Sequence, residues 1–310
     1  MRPSVGEAVL VNFLFWSGLA IGAVVFAALL ELTDAQWARP LRPLAERLCG
    51  FLPISLAAYV LLSALGQTFH WRDAAALTVT YLTAFWFVTA PRPRTAIVLL
   101  VVYAIGFSAI AVDVLMSLEP GWVSTLFPAY AFSANVYGGI AAVAALAAVT
   151  LPHDQFTHLA RDLAMVLVGF ALIWMYFTWT QFLVIWYGNI PADTGYVMTR
   201  LSGGWQPIAW IVFASRCALP VVVLLMRAGR SRIPFAATSA VVAIGFWLEC
   251  WLLVAPDIPT TPAPMTIAAV TVGFAVLFAT AMSWPWWMLG AKPATEAQRR
   301  GSGVSPCPDR

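Results

Sequence analysis

Two acidic residues beside a sharp turn form the first place in this sequence where protons could be exchanged. Asp113 lies at the end of an apolar stretch, and Glu119 begins the turn in the run Ser-Leu-Glu-Pro-Gly-Trp at 117–122. A carboxylate at the end of an apolar helix is costly unless it is paired or solvated. The pattern indicates a proton-accessible carboxylate pair at a membrane surface, with two ordinary solvated loop acids as the alternative.

A second candidate site combines a cation and an anion within apolar segments. Arg216 lies about eleven residues inside the segment 205–227, and Glu249 lies about six residues from the end of 235–255. At about 1.5 Å per residue their depths differ by about 7 Å, which two long side chains can bridge. An unpaired charge at mid-membrane is expensive, so the two residues are predicted to form a pair. A structural ion pair and a proton path both remain open.

A third motif is the aromatic run at 177–196, at the end of the apolar segment 163–187. Its rings are typical of a belt that anchors a helix at the membrane interface. Thr178, Thr180 and Gln181 within it are expected to bond a neighbouring helix rather than a ligand. The residues Asn-Ile-Pro-Ala-Asp at 189–193 predict a turn after the helix.

Redox-metal chemistry is excluded by the residues that are missing. The chain has three histidines, His70, His153 and His158, all in loops or at segment ends. Membrane haem needs axial ligands from the helices, and four scattered cysteines form neither a cluster motif nor a disulfide framework. The sequence therefore predicts no metal or cofactor bound by this chain.

The elements that must position these residues are membrane helices. The chain of 310 residues is 61% hydrophobic and 10% charged, and a bilayer core needs roughly 20 apolar residues per helix. Nine spans are predicted near 9–30, 48–69, 74–90, 95–113, 124–150, 163–187, 205–227, 235–255 and 265–289. The longest connections are 31–47, 188–204 and 256–264, and residues 291–310 form a polar tail that is predicted to be disordered and cytoplasmic.

The basic residues orient these spans. Of seventeen Lys and Arg, thirteen fall in alternate connections and the tail, three fall on the opposite side, and Arg216 alone lies inside a span. Basic loops stay in the cytoplasm, so the N-terminus is predicted outside and the C-terminus inside. The motifs around Glu119 and at 189–193 then share the periplasmic face of a bacterial inner membrane.

The runs Asp113–Phe127 and Gln181–Asp193, together with the span spacing, resemble the polysulfide-reductase (NrfD-like) membrane family. The resemblance covers roughly 9–289 and is strongest to the smaller NrfD-like subunit of alternative complex III, a quinol:cytochrome c oxidoreductase. It implies two four-helix bundles, at about 9–113 and 124–255, with a flanking helix at 265–289. It also implies a subunit that supports assembly and conducts protons through polar residues.

The partners that the resemblance implies carry the redox centres. They are a second NrfD-like subunit, a periplasmic iron–sulfur protein, c-type haem proteins and in some assemblies a terminal oxidase, in a membrane with lipids and quinone. The companion NrfD-like subunit would be the quinol site, and no quinone-binding residue is assigned here.

The sequence departs from this family at two positions where relatives carry histidine. The start of the sixth span reads Arg161-Asp162-Leu163-Ala164-Met165, and the eighth reads Gly245-Phe246-Trp247-Leu248-Glu249. The candidates for a proton path are therefore Asp113, Glu119, Asp162, Arg216 and Glu249. A stand-alone secondary transporter and a purely structural scaffold remain as alternatives, although matched helix breaks typical of transporters are not seen in the sequence.

Overall fold

The computed structural model describes residues 3–64, 70–119, 121–258 and 262–283. Within these ranges nearly every residue is helical and none lies in a strand. A helix bonds its own backbone groups, which is what a lipid environment demands of an apolar chain. The prediction of an all-α fold is confirmed.

The described residues form twelve α-helices. They are α1 (Pro3–Leu32), α2 (Arg42–Leu48), α3 (Leu52–Ala64), α4 (Trp71–Thr89), α5 (Pro93–Ile110), α6 (Phe127–Thr150), α7 (His153–Gly188), α8 (Pro191–Leu201), α9 (Gln206–Phe213), α10 (Leu219–Leu225), α11 (Arg232–Val254) and α12 (Pro264–Ser283). Short π and 3₁₀ turns extend or join several of them, so that α2 and α3 belong to one long segment, and α9 and α10 to another.

Eight helical segments in the described part of the chain are long and apolar enough to cross a membrane. The helix α4 is a ninth of 19 residues, made less apolar by Arg72, Asp73 and its threonines, and it packs between α3 and α5. The chain is therefore a multi-pass membrane protein, and the predicted number of about nine helices agrees with the structure.

The helices pack as two groups with one further helix at the side. In the first group α1 contacts α3, α4 and α5, and in the second α6, α7, α9, α10 and α11 contact one another. The helix α12 packs against α1 and the turn Cys49–Phe51. The most extensive contact among the described helices is that between α1 and α6, so the two groups, called here the first and the second bundle, share one continuous core.

The two groups meet where α1 crosses α6, and glycines permit that contact. A Cβ atom added at Gly22 would lie 2.0 Å from the carbonyl oxygen of Asn135, and one added at Gly139 would lie 2.2 Å from the backbone nitrogen of Ala23. Small residues let membrane helices approach backbone to backbone. The glycines therefore set the distance between the bundles.

Three predicted boundaries need correction. The connection 31–47 contains helical turns from Gln36 onward, and the connection 188–204 contains α8. The helix α7 begins at His153 rather than at 163. Its 36 residues rise about 54 Å, so its first turns extend beyond a bilayer core of about 30 Å, where the apolar pattern carries no signal. The predicted end of the ninth span at 289 and the tail 291–310 lie outside the described residues.

Candidate functional site

A buried ion pair lies in the middle of the second bundle. Arg216 Nε lies 2.8 Å from Glu249 Oε2, and the two side chains have 0% and 2% of their surface exposed. The Nε–H bond is not aligned well enough for a hydrogen bond, so the contact is a charge pair. The pairing predicted from helix depth is therefore present, between the segment 203–225 and α11.

The second carboxylate oxygen of Glu249 accepts two hydrogen bonds from other helices. Trp174 Nε1 on α7 donates to Oε1 over 2.7 Å, and the hydroxyl of Tyr130 on α6 donates to the same oxygen. These two hydrogen bonds fix the orientation of the carboxyl group. The site thus joins all four spans of the second bundle around one anion.

The guanidinium of Arg216 is held by a carbonyl group and by aromatic rings. Its Nη2 donates to the Ala134 carbonyl over 3.2 Å, and its central carbon lies 4.5 Å from the ring centre of Tyr137 and 4.9 Å from that of Phe246. Such cation–π contacts stabilise a desolvated cation. The Phe246 ring therefore packs on the arginine.

A π turn places Arg216 at this point. Residues Ala214–Ala218 are π-helical, and Pro220 has no N–H to donate to the carbonyl of Arg216. That carbonyl accepts instead from the Tyr137 hydroxyl over 2.8 Å. On the facing helix, a Cβ added at Gly245 would lie 2.3 Å from Ser215 Oγ, so only glycine lets the turn come this close.

Two cavities meet at Glu249 and Tyr130. The larger, of about 510 Å³, is lined by residues of α6, α7, α8, α9 and α11, including Trp174, Gln181 and Arg200. The smaller, of about 40 Å³, lies between the two bundles and includes Ser17 and Asn135. This smaller cavity has room for one water molecule, and Ser17 and Asn135 in its lining are polar. Glu249 and Tyr130 therefore separate the two cavities.

The end of the molecule that carries α8 and the turn 121–126, called here the α8 end, is held by stacked side chains. The Trp122 and Tyr196 rings stack in parallel with centroids 3.7 Å apart, and the Arg200 guanidinium carbon lies 3.6 Å from the Tyr196 ring centre. Burial raises the pKa of Tyr196 to about 12, with Arg200 acting in the opposite direction. Arg200 also forms an ion pair with Asp257. The first and third sequence motifs are thus in direct contact.

A second polar cluster joins α4 to the segment that follows α5. One ligand atom each of His70, Asp73 and Asp113 lies within 4.8 Å of the other two, and Tyr59 donates to Asp73 over 3.0 Å. One imidazole and two carboxylates are a donor set that a divalent cation accepts. However, Arg72 Nη2 already lies 3.0 Å from Asp113, and this positive charge opposes a metal ion.

The structure places the predicted candidates in different surroundings. Arg216 and Glu249 come together, whereas Asp113 pairs with Arg72 and not with the half-buried Glu119 of the next turn. Asp162 is exposed on α7. Asp113 therefore belongs to a cluster with residues of α4, and the proton-accessible role of Asp113 and Glu119 stays a prediction.

Sequence reasoning missed several buried polar residues. Asp73 is fully buried in the first turn of α4, and Glu7 is fully buried near the start of α1, with no hydrogen-bond partner among the described residues. Arg200, one of the three basic residues predicted on the side opposite the basic connections, is also buried, with 6% of its surface exposed. For Asp73 and Glu7 the available signal is an acidic residue in the first turns of an apolar helix. Burying such a charge without a partner costs free energy, so the residue should have a specific role.

Comparison with known proteins adds no relative, since neither a protein-family model nor a curated protein matches the chain. The fold and the site define a multi-pass helical membrane protein with an ion pair in the interior of its second bundle. The resemblance to the NrfD-like family stays a prediction.

Proposed function

We propose that this chain is a membrane subunit, without a redox centre of its own, of a quinol-oxidising complex of the alternative complex III type. In that complex its second bundle conducts protons through Glu249. The observation that carries the proposal is a carboxylate at mid-bundle, paired with an arginine and bordering two cavities. Such residues inside membrane helices are expensive and mark ion and proton pathways.

The charge balance of the pair suits a proton relay. Arginine keeps its charge at all relevant pH values, so Arg216 and an ionised Glu249 together are neutral. A proton would be taken up by the Glu249 carboxylate and released to water in the smaller cavity, while the Tyr130 hydroxyl keeps its own proton and orients the carboxyl group.

The remaining parts of the proposal follow from the charge distribution and the resemblance. Basic connections on the cytoplasmic side would place the N-terminus and the α8 end in the periplasm of a bacterial inner membrane. There they would face an iron–sulfur protein and c-type haem subunits, beside a second NrfD-like subunit that holds the quinol. A terminal oxidase would accept the electrons in some assemblies.

A second candidate, a structural scaffold, is favoured by one observation. Tyr130, Trp174, Arg216 and Glu249 lie on four different spans, so the pair fixes the bundle whether or not protons move. A stand-alone transporter would purify as a colourless single chain, whereas the proposed complex would purify with c-type haem.

The experiment compares Glu249→Gln with Glu46→Gln in the purified complex reconstituted into vesicles. Glu46 also pairs with an arginine, Arg42, but it borders neither of the two cavities that meet at Glu249. The proposal expects Glu249→Gln to assemble and to translocate fewer than half as many protons per electron, with Glu46→Gln unchanged. A wild-type ratio in Glu249→Gln would leave the scaffold function.

A further inference from the structure

Two polar atoms in the cluster of His70, Asp73 and Asp113 have no hydrogen-bond partner. His70 Nδ1 lies 3.6 Å from Asp73 Oδ2, and neither this nitrogen nor Asp73 Oδ1 forms a hydrogen bond with any described residue. Both atoms are buried too completely to be reached by water. A carboxylate oxygen can only accept a hydrogen bond, whereas a protonated carboxyl or imidazole group can donate one. One proton would therefore turn these two facing groups into a donor and an acceptor.

The charges of the cluster do not balance while its histidine is neutral. The Asp73 side chain is fully buried, and Arg72, the one cation among the described residues of the cluster, pairs with Asp113. Asp73 accepts a hydrogen bond from the Tyr59 hydroxyl on α3, which brings no charge. The helix α1 also packs against α4, and its ionisable residue at this end is another acid, Glu7. Without a further proton the cluster carries one net negative charge, on a carboxylate that water does not solvate, and such a charge is costly.

A proton suits this cluster better than a metal ion does. One ligand atom each of the histidine and the two aspartates lies within 4.8 Å of the other two. When two carboxylates share a site in this way, ionising both is unfavourable and one of them tends to hold a proton. A divalent cation would add two positive charges where one is missing, close to the guanidinium of Arg72. A proton adds one charge and makes the cluster neutral.

The histidine connects the cluster to water. The His70 side chain is 41% exposed, and its backbone is extended just before α4 begins. Asp73 follows in the first turn of α4, with none of its side chain exposed. Imidazole is the side chain that takes up and releases protons most readily near neutral pH. A proton can therefore enter and leave through the ring while the carboxyl group stays buried.

We infer that His70, Asp73 and Asp113 form a proton-binding site that holds one proton at neutral pH and exchanges it with water through the His70 ring. The bound proton neutralises the carboxyl group that Tyr59 contacts from α3. Its release leaves a buried charge where α3, α4 and the turn after α5 meet, so the contact between these elements weakens. The site lies in the first bundle and does not depend on the proposed proton conduction through Glu249 in the second.

The stability of the protein should fall as the pH rises above about 6.5. In the unfolded chain the imidazole loses its proton at about pH 6.5 and the carboxyl groups lose theirs at about pH 4. Above about pH 6.5 the folded chain therefore binds a proton that the unfolded chain lacks, and the ratio of folded to unfolded protein falls by up to about tenfold per pH unit. The fall ends at the pH at which the folded site releases its proton.

Denaturant unfolding of the purified protein in mixed micelles, from mildly acidic to mildly alkaline pH and with EDTA present, tests the inference. Asp73→Asn places an amide where the protonated acid stands. It should match the wild type at the acidic end and exceed its stability increasingly above neutral pH, by up to about tenfold in the folding equilibrium per pH unit. Asp113→Asn balances the charge of Arg72 without a proton, so it should also lose the fall above neutral pH. The control is Asp154→Asn, which changes an exposed aspartate in the first turn of α7 and should run parallel to the wild type.

Three results would overturn the inference. The first is a wild-type stability that stays level or rises above neutral pH, which needs no variant to be seen. The second is an Asp73→Asn or Asp113→Asn curve that runs parallel to the wild type. The third is stabilisation by added Zn²⁺ or Mg²⁺ that both substitutions abolish, since that would make the cluster a metal site. The measured quantity is stability rather than proton translocation, so the result is independent of what Glu249 does.

Discussion

Removing either partner of the buried ion pair should destabilise the second bundle, and the two removals should differ. Breaking a buried pair by deleting one partner costs about 3–5 kcal/mol, because the other charge is left without compensation. Arg216→Leu leaves Glu249 with two donors, the Trp174 indole and the Tyr130 hydroxyl. The carboxyl group can also neutralise itself by taking up a proton. We expect the free energy of unfolding to fall by about 3 kcal/mol.

Glu249→Leu is expected to cost more, near the upper value of about 5 kcal/mol. The Arg216 guanidinium cannot lose its proton, and among the described residues it keeps one hydrogen bond, to the Ala134 carbonyl. The Trp174 and Tyr130 donors lose their shared acceptor in the same variant. The free energy of unfolding therefore falls further in Glu249→Leu, because a stranded glutamate can take up a proton whereas a stranded arginine keeps its charge.

Denaturant unfolding in mixed micelles, followed by tryptophan fluorescence, measures both losses. Arg42→Leu is the control, because Arg42 pairs with Glu31 and Glu46 while 29% of its side chain is exposed, and such pairs contribute less than about 1 kcal/mol. The reasoning is refuted if Arg216→Leu costs more than Glu249→Leu, or if neither exceeds the control.

Three further substitutions test the packing around the site. Gly139→Ala should lower the free energy of unfolding by about 1–3 kcal/mol, since its Cβ would lie 2.2 Å from the backbone of α1, while Gly169→Ala, with nothing within 4 Å, should be nearly neutral in the same measurement. Trp122→Ala removes the stack on Tyr196 and should speed limited proteolysis near α8; cleavage at the wild-type rate would show that the stack does not hold this helix. Gly245→Ala should displace the π turn and weaken the ion pair, which would appear as a smaller stability difference when the arginine is then removed.

The class of fold was predictable because hydrophobicity acts over whole segments. Runs of about 20 apolar residues predict helices wherever they fall, and small errors at their ends do not change the count. The ends themselves depend on local details that the pattern does not contain. The chain continues as helix from His153 because solvated residues such as Arg161 and Asp162 tolerate helix outside the bilayer.

The candidate site was predictable where membrane depth alone decided the contact. Arg216 and Glu249 had to find a partner, and each was the charged group nearest to the other in depth. Asp113 shows the limit of this reasoning, because its partner Arg72 lies forty-one residues away on α4. Which helices are neighbours is set by contacts such as that of Gly22 with α6, and hydropathy carries no information about them.

Replacing both members of the pair separates a scaffold from a proton path. An apolar pair of similar volume is often as stable as a buried ion pair, so stability alone gives no reason to keep Arg216 and Glu249 together. Arg216→Leu/Glu249→Leu should be less destabilised than Glu249→Leu alone, because no charge is stranded, with the Tyr130 and Trp174 donors accounting for the remaining loss. If this variant assembles and still translocates protons, the pair is structural. If it assembles and does not, a carboxylate at that depth is required for transfer, as the two adjoining cavities indicate.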